Sequence, residues 1–202
     1  MGRDKASIRL AGSTLTLAQR AGKLLGAAVS PGPAIEVGPG SSRLGRAADF
    51  GVSDPGTGPL TAAVAGCEAL ERSGFSGPVL VLAADLPWLT PEVLAWLVGF
   101  PGSGSVVPVV AGRSQPLCAR WSLEDLGRAA ALARQGERSV RAVFGPAARF
   151  ADEACWGAVA EPLAFADADT PEDLWPGPHG SELPRRERRA PARRCGPGSH
   201  RP

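Results

Sequence analysis

The sequence predicts an α/β domain built on a mostly parallel sheet. Three observations carry this. Six apolar residues, Val79 to Ala84, run without alternation between Gly77-Pro78 and Pro87, as in a strand covered on both faces. Short apolar runs alternate with amphipathic segments along the chain, the pattern of strands joined by helices. The apolar run also stops at a carboxylate, Asp85, and open α/β sheets bind ligands beyond the carboxyl ends of their strands. Asp85 therefore stands where a ligand or a metal would lie. Its other reading is a cap for the next helix, for which Thr90 is better placed.

The elements follow in order. Ile8 and Leu10 alternate with polar neighbours in a short strand or loop. Leu15 to Ala28 reads as a helix with Leu17, Ala21, Leu24 and Leu25 on one face. Ala34 to Val37 and Phe50 to Val52 are short strands, the second ending near Asp54. Leu60 to Arg72 is a helix with Leu60, Ala63, Val64, Cys67 and Leu70 on one stripe, ended by Gly74. After the strand Val79 to Ala84, Thr90-Pro91-Glu92 opens a helix striped by Val93, Leu94, Leu97 and Val98. Ser105 to Val110 and Leu117 to Trp121 are strands. Ser122-Leu123-Glu124-Asp125 resembles a capping box for a helix reaching Gln135. Ser139 to Phe144 is a shorter helix and Leu163 to Ala166 a last short strand. Thr170-Pro171-Glu172-Asp173 caps a final turn near Leu174.

Composition narrows the chemistry. The chain has 202 residues, 44% of them hydrophobic, enough for one domain with a core. Its net charge is +2. Seven Arg and two Glu lie in residues 176–202, so the rest is mildly acidic and carries no nucleic-acid footprint. That Pro/Gly/Arg-rich tail lacks apolar periodicity and reads as a disordered, passive extension. The four cysteines, Cys67, Cys118, Cys155 and Cys195, form no C-x-x-C pair and read as core thiols of a cytoplasmic protein. No apolar run approaches the roughly 20 residues of a membrane span. His179 and His200 both fall in the tail, so Ser-His and Cys-His catalysis and His-based zinc sites are excluded from the domain. Carboxylates, Lys, Arg, backbone amides or a hard cation remain.

Four fragments lie at predicted strand ends or loops: Met1-Gly2-Arg3-Asp4-Lys5, Asp54-Pro55-Gly56-Thr57-Gly58-Pro59-Leu60, Ala84-Asp85-Leu86-Pro87 and Asp167-Ala168-Asp169-Thr170-Pro171. Lys5 offers a point charge to phosphate or is a surface lysine. Asp54 precedes a Gly-rich loop entering a helix N-terminus, where backbone donors approach an anion, or else forms an Asp-Pro turn. Gly58 permits close backbone approach or a tight turn. Asp167 and Asp169, two apart, point the same way if extended; Asp169 adds a metal ligand or only flanks the Thr170 cap.

In order and spacing these fragments resemble the molybdenum cofactor guanylyltransferases, within the nucleotidyltransferases of nucleotide-diphospho-sugar type. The resemblance covers residues 1–175 as one nucleotidyltransferase domain, leaving 176–202 as the tail. It implies a three-layer, Rossmann-like, mostly parallel sheet with helices on both faces. That family opens with a strand and a loop of the form L-A-G-G-x-S-x-R-M-G-x-D-K. Met1, Gly2, Asp4 and Lys5 match only its last part; the strand, which is central in the family's sheet, and the L-A-G-G loop are absent from this sequence. The expectation is that Met1 is internal to a longer reading frame; otherwise the chain is a shortened, inactive form. The related enzymes often carry Asn where Asp167 and Asp169 stand.

The resemblance further implies a reaction: a molybdopterin phosphate attacks the α-phosphorus of GTP and releases pyrophosphate. Such a nucleophile is already ionised and needs no general base, so positioning and charge neutralisation suffice. Lys5 and Asp85 would be catalytic, and Lys5, Asp54, Gly58 and Asp85 would bind the nucleotide. Asp85 and Asp169 would hold Mg²⁺. Arg113-Ser114-Gln115-Pro116-Leu117 resembles the pterin-side loop, with Arg113 on a phosphate. Partners would be GTP, molybdopterin and molybdoenzyme maturation proteins, in the cytoplasm, with neither nucleic acid nor membrane. Two alternatives stay open: a cytidylyl- or sugar-phosphate-type nucleotidyltransferase, and a catalytically dead binding domain.

Overall fold

The computed structural model describes residues 5–10, 12–38 and 50–168. The tail, the Thr170 cap, both histidines, Cys195 and Asp169 lie outside the described residues, as do Met1, Gly2 and Asp4. A 3-10 turn at Lys5–Ser7 leads to α1 (Leu17–Val29), then β1 (Ile35–Val37), β2 (Phe50–Val52), α2 (Pro59–Arg72) and β3 (Val79–Leu82). Then come α3 (Pro91–Gly99), β4 (Val106–Val110), β5 (Arg113–Ser114), β6 (Cys118–Trp121), α4 (Leu123–Arg134), β7 (Arg149–Ala151) and α5 (Glu153–Trp156).

The expected sheet is present in two pieces. β1 and β2 pair in parallel as one, and the other has the order β3-β6-β4-β5 with β7 also on β4. β6 runs antiparallel to both β3 and β4, so those two share a direction, and β7 is parallel to β4. β2 reaches β3 through a single crossover helix, the connection that joins parallel strands. β5 and β6 are thus the reversed members of a mostly parallel set.

Helices cover two opposite faces. Leu24 and Ala28 of α1 pack with Val93, Leu94 and Leu97 of α3, against Leu80 and Leu82. Ala63 and Val64 of α2 pack with Ala129 of α4, against Val81 and Trp121. Successive residues of β4 and β6 feed different clusters: Val106 and Cys118 the first, Val107 and Ala119 the second. These are the strands buried on both faces. The expectation of such burial for Val79 to Ala84 is corrected: every residue of β3 is only half-buried, because its far edge borders a cavity.

Local chemistry explains the boundaries. α1 begins at Leu17, two residues after the predicted start at Leu15, because Thr16 closes a capping box. The Gln19 N–H donates to Thr16 Oγ1 at 3.2 Å and the Thr16 N–H to Gln19 Oε1 at 3.0 Å. Thr90 does hold the N-cap position of α3, yet its hydroxyl makes no cap bond and is buried without a partner. The capping box read at Ser122 is half made. Ser122 Oγ accepts from the Asp125 N–H at 3.2 Å, but Asp125 turns inward instead of back to the cap. It accepts from Ser105 Oγ at 2.6 Å and from the Gly145 N–H at 3.1 Å.

Two readings fail late in the chain. Leu163 to Ala166 is not a strand but part of a 3-10 turn, Pro162–Phe165, held by the Phe165 ring against Trp156 at 4.8 Å between centroids. The seventh strand instead is Arg149–Ala151, placed by its pairing with β4. Cys67 and Cys118 are free thiols, whereas Cys155 is in a disulfide, against its reading as a core thiol. Among the described residues no helix is long and apolar enough to cross a membrane.

Candidate active site

β3 and β4 share a direction, and three of the predicted segments follow strands. Asp54 follows β2, Asp85 follows β3, and the β4–β5 turn follows β4, all at carboxyl ends. Asp85 is half-buried, and Leu86, Pro87 and Leu89 after it are buried. Its main-chain carbonyl accepts from the Ala168 N–H at 2.9 Å. That bond brings the segment of the exposed Asp167 to the end of β3. Asp85 does not cap α3, whose N-cap is Thr90.

Asp54 is exposed and makes a turn: its Oδ1 accepts from the Gly56 N–H at 2.8 Å. The turn reading therefore holds for that oxygen, while Oδ2 has no hydrogen bond among the described residues. Gly58 is the N-cap of α2 at φ 128°, a backbone region that favours glycine. A Cβ there would lie 3.6 Å from Arg138 Cβ, an ordinary contact, so the dihedral rather than crowding demands glycine. Gly58→Ala is expected to destabilise the chain by about 1–2 kcal/mol, read as a lower thermal midpoint. An unchanged midpoint would show that the loop relaxes freely.

α2 itself offers donors. Pro59 takes the first helical position, where no N–H is needed, and the following amides lack intrahelical acceptors. Thr57 Oγ1 donates to Thr61 Oγ1 at 2.8 Å, and Thr61 Oγ1 to the Gly58 carbonyl at 2.8 Å. Sequence reading missed this hydroxyl pair; its signal is the Thr three residues after the capping glycine.

The remaining predicted residues are less closely placed. Lys5 lies in the 3-10 turn before α1, and its side chain is outside the described residues, as is Asp169. Arg113 is exposed on β5, beside a turn held by the Ala111 N–H donating to Glu153 Oε1 at 3.2 Å. Among the described residues no group of three or more acidic, His or Cys side chains is poised for a metal. Both free thiols are shifted away from the reactive thiolate form. Burial pushes Cys67 up to about 12, helped by Glu68, and burial alone pushes Cys118 up to about 12.

The chain is similar to known proteins in sequence and in fold. Residues 1–151 match the family described as MobA-like NTP transferase domain. A probable molybdenum cofactor guanylyltransferase of Opitutus terrae is 34% identical over 148 residues, 70% of this chain and 69% of that protein. The crystal structure of molybdopterin-guanine dinucleotide biosynthesis protein A from Archaeoglobus fulgidus superposes with a TM-score of 0.63 at 23% identity. It covers 86% of this chain and 88% of that one.

Proposed function

The chain belongs to the MobA-like NTP transferase domain family, and we propose that it moves a guanylyl group from GTP to molybdopterin. The observation that carries this reading is Asp85, set at the carboxyl end of β3 and tied through Ala168 to the Asp167 segment. The curated relative named as a probable guanylyltransferase supports the choice of base and acceptor. In the reaction a phosphate oxygen of molybdopterin bonds to the α-phosphorus of GTP. The bond from the α-phosphorus to the bridging oxygen breaks, and that oxygen leaves with its electron pair as part of pyrophosphate.

The donor set suits Mg²⁺, which takes one or two carboxylates and fills its shell with phosphate oxygens and water. Asp85 is the half-buried, main-chain-anchored carboxylate, and Asp169 is the second candidate. When bound, the cation supplies neutralisation of the triphosphate charge. The chain's own groups do the rest. The amides at the start of α2 face the phosphates, Lys5 adds a positive charge, and Oδ2 of Asp54 accepts from the nucleoside. Arg113 holds the acceptor phosphate. No general base is required, since the attacking phosphate is ionised at neutral pH.

Incubating the full chain with molybdopterin, Mg²⁺ and α-³²P-labelled GTP or CTP tests this. The expected outcome is label in a pterin dinucleotide from GTP, with equimolar pyrophosphate. Label arriving from CTP in preference, or from neither nucleotide, contradicts the proposal.

A further inference from the structure

α1 carries an arginine on the stripe that meets α3. Arg20, Leu24 and Ala28 recur every fourth residue, which stacks them on one helix face. Leu24 and Ala28 pack with Val93, Leu94 and Leu97 of α3. Arg20 is the charged member of that row. It is half-buried, and burial lowers its pKa from the usual arginine value. Its guanidinium donates to the main-chain carbonyl of Leu89 at 2.6 Å, across 69 residues of chain. Among the described residues this is the one hydrogen bond the guanidinium makes. Leu89 is buried, and buried carbonyls need a donor; Arg20 supplies it.

That carbonyl belongs to the turn that carries Asp85. The chain leaves β3 at Leu82 and enters α3 at Pro91. Inside this link the Leu89 N–H reaches the Leu86 carbonyl only at 3.4 Å, a long bond. The ordinary anchor of such a turn is the N-cap side chain of the helix it enters. Here the N-cap Thr90 makes no cap bond, and its hydroxyl is buried without a partner. Residues 86–90 receive one side-chain hydrogen bond among the described residues, and it comes from Arg20. The turn is therefore held at both ends from outside. The Ala168 N–H donates to the Asp85 carbonyl at 2.9 Å, and Arg20 donates to Leu89.

We infer that Arg20 is a positioning residue for the reaction: through Leu89 it fixes the turn that aims the Asp85 carboxylate. The inference rests on the reading of Asp85 as a Mg²⁺ ligand and goes beyond it. Arg20 touches neither cation nor nucleotide in this role. Mg²⁺ demands near-octahedral geometry with oxygens at about 2.0–2.1 Å, so it tolerates little displacement of a ligand. Where positioning is the chemistry, a misplacement of about 1 Å costs on the order of a hundredfold. Releasing the Leu89 end leaves the carboxylate free to swing about the end that Ala168 holds. Methionine keeps the packing of the stem and removes the donor, whereas lysine keeps both stem and donor.

The test is calorimetric titration of GTP, with Mg²⁺ or with EDTA, into the full chain and four variants: Arg20→Met, Arg20→Lys, Asp85→Ala, and Arg20→Met with Asp85→Ala. With Mg²⁺, Arg20→Met is expected to weaken binding at least about fivefold and Arg20→Lys by less than about twofold. With EDTA, Arg20→Met binds as the parent does. The double variant is expected to bind within about twofold of Asp85→Ala, because the aim of an absent carboxylate has no effect. Amide hydrogen exchange at Leu89 is expected to quicken at least about tenfold in Arg20→Met, with Val106 and Val107 of β4 unchanged as the mark of an intact fold. Parental affinity in Arg20→Met with Mg²⁺ overturns the inference. So does a loss that persists undiminished in EDTA, or losses that multiply in the double variant, since Arg20 then serves the fold alone. Each of these leaves the reading of Asp85 standing. A parent whose affinity is indifferent to Mg²⁺ instead removes that reading, and this inference with it.

Discussion

Asp85→Ala is expected to lower GTP-dependent pyrophosphate release about a thousandfold, roughly 4 kcal/mol of lost transition-state stabilisation, with the fold intact. The size follows from chemistry in which positioning and charge neutralisation are the whole of catalysis. Among the described residues there is no His to take over, and burial shifts Cys67 and Cys118 towards the protonated thiol. The fold survives because the bond to Ala168 uses the Asp85 carbonyl, which alanine keeps. Asp85→Asn, which preserves shape and removes charge, is expected to lose nearly as much. Turnover within a few-fold of the parent in either variant, with an unchanged thermal midpoint, removes Asp85 from the mechanism.

The second large effect is on stability. Arg120 of β6 is 7% exposed, and among the described residues its guanidinium is bound by main-chain carbonyls. One terminal nitrogen donates to Leu97 at 3.2 Å, Val98 at 3.3 Å and Phe100 at 2.7 Å; the other donates to Gly102 at 2.7 Å and Gly104 at 3.1 Å. Leu97 and Val98 belong to the last turn of α3, whose carbonyls lack intrahelical partners and favour a cation. Arg120 therefore ends α3 and pins the loop that delivers the chain into β4. Burial pulls its pKa below the usual arginine value. Arg120→Met keeps much of the volume but orphans these carbonyls. The expected cost is about 3–5 kcal/mol, or roughly 10 °C in thermal midpoint for a chain of this size. Arg120→Lys, with a compact ammonium that reaches fewer of them, falls between. A midpoint within about 2 °C of the parent for Arg120→Met contradicts this account.

Arg120 also marks where sequence reading stopped. The run Cys118 to Trp121 is legible as a strand, but nothing local says that its arginine is folded inward. The acceptors come from a helix end and a Gly-rich loop some twenty residues earlier. The same holds for Asp125. Its place after Ser122 suggests a cap, whereas its partners Ser105 and Gly145 are supplied by the tertiary fold. Long helices were legible because apolar spacing repeats over several turns, as from Leu60 to Leu70. The short strands β1 and β2 were legible too, but the short elements late in the chain were not. Arg149–Ala151 becomes a strand only through β4, and the apolar run Leu163 to Ala166 folds as a 3-10 turn with Leu163 left exposed.

The site followed the same division. The position of Asp85 just after β3 was legible because the apolar run stops at it. The Asp54 turn and the glycine at Gly58 were legible as alternatives, and the structure shows both: a side-chain-stabilised turn and a positive φ. The half-burial of β3 was not legible, because an apolar run does not record the cavity at the strand's edge.

Calorimetric titration of GTP into the full chain tests the central claim most directly. It is done with Mg²⁺, with EDTA in its place, and with Mg²⁺ and Asp85→Ala. The account predicts saturable binding in the first case, weakened at least about tenfold in the other two. Equal affinity in all three would contradict it, because the carboxylate at the end of β3 would then have no part in holding the nucleotide's phosphates.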